Sequence, residues 1–280
     1  MNFGKINMLL ALGQKTEYQD KYDNSLLFPI SRAVARQQLG ILDSLPFQGF
    51  DIWNCYELSW LGHCGKPEVK ILEFSVNADS PYIVESKSLK LYLNSFSNTR
   101  FDNVLQIKKL IEQDLTSLLK SPVIVYIKDL TSYNNTILKS FSGVNLDSLE
   151  IIMDDFDISK NIPQLSSREG QVEESLCSNL LKSNCLVTNQ PDWASIQIIY
   201  QGRQIDHNSL LKYLVSFRNH NEFHEQCVER IFCEINKFCH PNELTVYARY
   251  TRRGGIDINP IRSNRNIDIN RIDNSRHVRQ

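Results

Sequence analysis

The chain has 280 residues, 41% of them hydrophobic and 22% charged, a composition that excludes a disordered or fibrous protein. Thirty-one basic against 32 acidic residues leave a formal net charge of −1, so no whole-chain field selects for nucleic acid or for an anionic membrane. Seven cysteines, an odd number without repeated close spacing, fit reduced thiols better than a disulfide framework, and the expected compartment is the cytoplasm.

The first apolar stretch, residues 6–12, falls short of the roughly 18 residues of a spanning helix. No small-residue cleavage pattern follows it, so it reads as an amphipathic or packing segment. Residues 50–61 and 69–76 alternate apolar and polar side chains and predict strands. Ser88-Leu89-Lys90-Leu91-Tyr92-Leu93-Asn94-Ser95-Phe96 comes next, and then Val104, Ile107, Leu110, Ile111, Leu115, Leu118 and Leu119 mark one face of an amphipathic helix. That helix stops before Pro122, and residues 123–127 form a closing strand. Residues from about 131 to 172 are polar and turn-rich. A second series follows: strands over 173–187 and 194–200, an apolar helical face through Cys227, Val228, Ile231, Phe232, Ile235 and Phe238, then Pro241 and a strand over 244–250.

The second series repeats the first. Ser209-Leu210-Leu211-Lys212-Tyr213-Leu214-Val215-Ser216-Phe217 stands 121 residues after the segment at Ser88 and is identical to it at six of nine positions. With matching strands, helices and prolines on either side, an internal duplication is the better reading. The division expected is an N-terminal module over 1–135, a linker or insertion over 136–172 and a C-terminal module over 173–280, in a chain of α+β class.

The glycines form neither GxGxxG nor GxxxxGK[ST], so no Rossmann or P-loop argument is available. There is no CxxC, and His63-Cys64 and Cys239-His240 are too closely spaced to share one tetrahedral ion easily; no metal is expected. Cys185, at the end of a strand-like run, is followed by the turn Asn189-Gln190-Pro191 and by Asp192. That turn can bring a thiol nucleophile and a proton donor to the same end of a two-stranded unit. By residue type alone a lone cysteine reads equally as a small buried hydrophobe. His224-Glu225 opens the second long helix of the C-terminal module; His224 has a capping or solvent-facing alternative, and the Glu225 carboxylate suits the paired donors of a guanine-like base. Arg252-Arg253-Gly254-Gly255 is a phosphate cradle or a solvated basic turn.

Glu85-Ser86-Lys87-Ser88-Leu89-Lys90-Leu91-Tyr92 resembles the signature motif of the NADPH-dependent 7-cyano-7-deazaguanine reductases (the QueF family), the nitrile reductases of queuosine biosynthesis in tRNA modification. Ala78-Asp79-Ser80-Pro81, the stretch from Cys185 to Trp193, Phe223-His224-Glu225 and Arg253-Gly254-Gly255-Ile256-Asp257-Ile258-Asn259-Pro260 resemble the same family, in its long two-module branch. Asn77 departs from the proline common there. The resemblance implies two tandem tunnelling-fold modules, each an antiparallel sheet backed by two helices, assembled as a homodimer. It implies Cys185 as the nucleophile that forms a thioimide and Asp192 as proton donor. Val84, Glu85, Ser86, His224 and Glu225 are implied as substrate contacts, and Ser86, Lys87, Arg253 and Gly254 as contacts to NADPH, a co-substrate. The implied partner is the small-molecule 7-deazaguanine nitrile, with no direct nucleic acid and no membrane. Two alternatives stand beside this reading: a cyclohydrolase-type hydrolase, and a catalytically silent purine- or pterin-binding protein.

Overall fold

The structure, a computed structural model, describes residues 19–280, so the apolar stretch at residues 6–12 lies outside the described residues. The chain divides into two compact units. The first takes the described residues through Gln37, Asp51–Ile137 and Arg252–Asp257; the second takes Gln38–Phe50, Leu138–Thr251 and Ile258–Gln280. Each combines sheet with a few helices, as the α+β reading expects.

In the first unit β1 (Pro29–Ser31) runs antiparallel to β4 (Tyr82–Val84), while β2 (Gln48–Leu61, from Asp51 onward), β3 (Pro67–Asn77) and β5 (Val123–Lys128) lie side by side with β3 in the middle. Helix α1 (Ser86–Ser95) is capped by Glu85, whose carboxylate accepts the amides of Lys87 and Ser88 at 2.8 and 2.7 Å. Helix α2 (Val104–Leu119) packs on β5. Ile107, Ile111, Leu115 and Leu119, spaced four apart, are fully buried, each burial contributing about 1.5–3 kcal/mol.

The second unit orders its strands β10 (Ile256–Ser263, from Ile258 onward), β9 (Glu243–Tyr250), β8 (Pro191–Arg203), β7 (Gln171–Asn184) and β6 (Val144–Asn145). Only β6, a two-residue strand out of the polar stretch between the repeats, runs parallel to its neighbour. Helix α3 (His207–Ser216) packs on β7 and α4 (His224–Cys239) on β9, burying Cys227, Val228, Ile231, Phe232 and Ile235.

The two series share local contacts down to single atoms. Glu85 and Asp206 cap the ten-residue helices α1 and α3. In those helices Ser88 and Ser209 donate to the cap carbonyls, and Ser95 and Ser216 donate to Tyr92 and Tyr213. Tyr92 meets Phe96 edge-on at 5.2 Å, as Tyr213 meets Phe217. The sixteen-residue helices α2 and α4 both end on a left-handed residue, Lys120 and His240, shortly before a proline.

One boundary departs from the alternation pattern. The strand read over 173–187 ends at Asn184, because the Asn184 backbone turns to Arg218–Glu222 for partners: its amide donates to His220 and its carbonyl accepts from Glu222. Cys185 therefore opens the turn instead of lying within the strand. Among the described residues no helix is long and apolar enough to cross a membrane.

Candidate active site

In the second unit β7 and β8 form a hairpin whose last pairs are Ser183 with Asp192 and Asn184 with Pro191. The turn is closed by the Cys185 amide on the Gln190 carbonyl at 2.8 Å and by the Asn189 amide on the Cys185 carbonyl at 3.0 Å. Asn189 takes the left-handed conformation, which asparagine tolerates better than most residues. Leu181, Ser183 and Cys185 alternate with the more exposed Lys182, Asn184 and Leu186. By that alternation the thiol shares the helix-side face with Asp192, across the ladder from Ser183. Both are buried, Cys185 at 7% and Asp192 at 3% exposure.

The segment leading into α4 and the first turn of that helix meet this hairpin end. Asn221 Nδ2 donates to Asn189 Oδ1, and Asn184 Nδ2 donates to Asn221 Oδ1 at 3.3 Å. The Arg230 guanidinium, from the next turns of α4, holds Glu222 through Nε at 2.9 Å. Burial pushes the Glu222 carboxyl up, but hydrogen bonds from His220 and Arg230 outweigh it and hold the group below its ordinary value. His224 Nε2 lies 3.4 Å from Asp192 Oδ2, and its ring stacks flat on Tyr250 at 3.8 Å and 8°. His224 Nδ1 is buried without a hydrogen-bond partner. Glu225 is buried at 2% exposure in the first helical turn, where the helix dipole favours a carboxylate. The structure thus brings Cys185, Asp192, His224 and Glu225 to one end of the second unit.

Burial pushes five other thiols up: Cys55, Cys177, Cys227, Cys233 to about 12 and Cys239 to about 11. In each case burial disfavours the thiolate, the reactive form.

The remaining expected residues fall in the first unit. Val84, at 3% exposure, ends β4, Glu85 caps α1, and Ser86 and Lys87 form its first turn. Both Glu85 oxygens are engaged by helix amides, so the residue carries a structural duty that its place in the motif does not announce. Burial raises its carboxyl, against the lowering effect of those two amides. Arg253 and Gly254 form a tight turn, with the amides of Arg253 and Ile256 donating to each other's carbonyls, and Gly254 and Gly255 both have positive φ. Lys90 Nζ donates to the Gly254 carbonyl at 2.8 Å and lies 3.3 Å from Glu57, tying α1 to this turn. The expected cofactor contacts Ser86, Lys87, Arg253 and Gly254 are therefore held in one unit, flanked by the cations of Lys90 and Arg252. Tyr250, Asn221 and Lys90 were not singled out by their residue types, and only contacts distant in sequence give them a role.

The first unit also carries an echo of the Cys185 turn, one residue shorter. The Gly62 amide donates to the Lys66 carbonyl where the Cys185 amide donates to that of Gln190, and Pro67-Glu68 opens β3 as Pro191-Asp192 opens β8. A Cβ placed on Gly62 would stand 2.6 Å from a Glu68 carboxylate oxygen.

A family model described as nitrile reductase, 7-cyano-7-deazaguanine-reductase N-term, matches residues 18–127, and one described as QueF-like protein matches residues 191–268. The chain is 51% identical over 269 residues to the NADPH-dependent 7-cyano-7-deazaguanine reductase of Paraburkholderia phymatum, covering 96% of this chain and 97% of the relative. This chain belongs to the NADPH-dependent 7-cyano-7-deazaguanine reductases. The protein of the same name from Burkholderia lata is 50% identical with the same coverage. A crystal structure of the archaeosine synthase QueF-Like in the apo form matches 36% of this chain and all of its own at 13% identity, with a TM-score of 0.31. For a member of this reductase family the two groups of residues have distinct chemistry: thiol and acid in the second unit, cations beside a glycine turn in the first. Among the described residues no cluster of three or more metal-ligating side chains is present.

Proposed function

We propose that this chain reduces 7-cyano-7-deazaguanine to 7-aminomethyl-7-deazaguanine with two NADPH, through a thioimide on Cys185, as a cytoplasmic homodimer of tandem tunnelling-fold modules. The observation that carries the chemistry is the common face of Cys185 and Asp192 at the hairpin end, with His224 against the Asp192 carboxyl.

A nitrile is a weak electrophile, and a covalent sulfur makes its carbon reducible. The Cys185 sulfur bonds to the nitrile carbon as one carbon–nitrogen π bond opens, and Asp192 protonates the nitrogen. The thiol hydrogen is returned to the acid, so the adduct has the mass of enzyme plus nitrile. NADPH supplies two hydrides to the substrate carbon, one at each stage. After the first, with a second proton on nitrogen, the carbon–sulfur bond breaks and Cys185 departs, leaving an imine. The imine takes the second hydride and another proton to give the amine. Asp192 must be recharged between steps, and His224 is a titratable group in contact with it. Glu225 and Glu85 are assigned to the donor edge of the base, with Val84 and Ser86 beside it. Lys87 and Arg253 are assigned to the phosphates, the first as a point charge and the second as a fork, with Ser86 and Gly254 completing the cofactor contacts.

The stoichiometry tests this reading. Two NADPH should be consumed for each amine formed, and Cys185→Ala should consume none. Hydrolysis of the nitrile without NADPH oxidation, or binding without turnover, contradicts it and favours the alternatives.

A further inference from the structure

The polar stretch between the repeats has no part in the chemistry above, yet one of its side chains reaches β7. Before residue 178 the register of β7 on β8 pairs Leu176 with Ile198 and Ser178 with Ile196; after it Leu181 faces Ala194 and Ser183 faces Asp192. One extra residue has entered β7 between these pairs, a β-bulge, and the parity of the strand changes across it. Leu176 and Ser178, even-numbered, are buried opposite core residues of β8. Leu181, Ser183 and Cys185, odd-numbered, are buried after it. If β7 ran on unbroken in the register of Leu176 with Ile198, Lys182 would stand opposite Asp192 and Cys185 would turn to the other face.

A bulge leaves backbone amides without ladder partners, and here Asp147 supplies them. Its carboxylate accepts the Asn179 amide at 3.1 and 3.0 Å, the Asn179 side-chain amide at 2.9 Å and the Ser178 hydroxyl at 2.6 Å. The Ser178 hydroxyl in turn accepts the Leu180 amide at 3.1 Å. From the other side Arg279 donates to the Asn179 carbonyl at 3.0 Å and to Ser195, whose hydroxyl donates to the Asn179 side chain at 2.8 Å. Asp147 is itself placed by the β6 pairing with Leu176 and Cys177. Gly143 allows that pairing, since a Cβ there would lie 2.2 Å from the Ser175 carbonyl oxygen.

We propose that Asp147 is a positioning residue for the reaction: it holds the β7 bulge that puts the Cys185 thiol on the face of Asp192. The proposal rests on the reading of Cys185 as nucleophile, and it assigns a duty to the segment between the repeats. Charge-assisted acceptance from three donors through four contacts is the strong form of the hydrogen bond, so neutral replacements at 147 loosen the bulge in graded fashion.

The test compares Asp147→Ala and Asp147→Asn with the wild-type chain. Adduct formation from the nitrile without NADPH, followed by rapid mixing and intact mass, should slow by about tenfold or more in Asp147→Ala, as misplacement of a nucleophile does. Asp147→Asn should recover part of the rate. Affinity for the nitrile, measured by calorimetry in a Cys185→Ala background, should stay within about twofold when Asp147→Ala is added, because binding does not need the thiol's face. If Asp147→Ala does not fold, Arg279→Met loosens the same bulge from its other side and should show the same split between rate and affinity. Adduct formation at the wild-type rate in the folded variants, or equal losses of rate and affinity, overturns the proposal. An adduct that forms at another cysteine in the wild-type chain overturns instead the reading of Cys185.

Discussion

Asp192 is held at 3% exposure with the His224 imidazole 3.4 Å away and Ser183 across the ladder. Asp192→Asn keeps the volume and removes the transferable proton, so turnover should fall by about a hundredfold or more while the chain stays folded. Steady-state rates with thermal unfolding as control check this, and a variant turning over within a few fold of wild type moves the acid elsewhere. That Cys185 and Asp192 fall at the same end of the β7–β8 hairpin was legible in sequence, because the Asn189-Gln190-Pro191 turn lies between them. The second duty of Glu85 was not: as the cap of α1 it duplicates Asp206, and that equivalence is visible only when the two helices are compared atom by atom. Tyr250 likewise read as one more apolar position of a closing strand, and its stack on His224 joins residues 26 positions apart.

At the scale of elements, the hairpin end and the start of α4 are joined through Glu222, whose backbone pairs with Asn184 and whose carboxylate holds Arg230. Its carboxyl lies below the ordinary value in the fold, so the stability it contributes is present above the ordinary glutamate value of about 4.3 and is lost as pH falls through the folded value. Glu222→Ala leaves Arg230 half-buried with one carboxylate fewer and should cost about 3 kcal/mol at neutral pH. Glu222→Gln should also flatten the acid limb of a plot of unfolding temperature against pH. An acid limb unchanged by either variant places the proton uptake elsewhere. Alternation and helical spacing disclosed the long strands and helices, since each buries one face. They misjudged the end of β7, where backbone pairing with residues 35 to 40 positions away outweighs the apolar run at Leu186-Val187, and they carried no sign of the bulge at Ser178, whose stabilising groups come from distant segments.

At the scale of the whole molecule, two copies of one pattern carry different chemistry. The duplication was readable because caps, aromatic pairs and helix ends are tied to residue types, whereas the assignment of residues 252–257 to the first unit depends on contacts such as Lys90 with Gly254 and Asp257 with Asn54 and Tyr56. The corresponding turn in the first unit has Gly62 where the second has Cys185, so the proposed chemistry assigns bond formation to the second unit and the phosphate-binding cations to the first. Lys87→Ala and Arg253→Ala should therefore raise the Michaelis constant for NADPH and make it more sensitive to salt, with adduct formation intact. Loss of the adduct with NADPH binding unchanged in calorimetry assigns these residues to the other ligand. The central claim, a covalent bond between this chain and its nitrile at one named thiol, is tested most directly by intact mass and peptide mapping after incubation with 7-cyano-7-deazaguanine in the absence of NADPH. The predicted result is a gain equal to the whole mass of the nitrile, located on Cys185, absent from Cys185→Ala and discharged on adding NADPH; no mass gain, or a gain located on another cysteine, contradicts it.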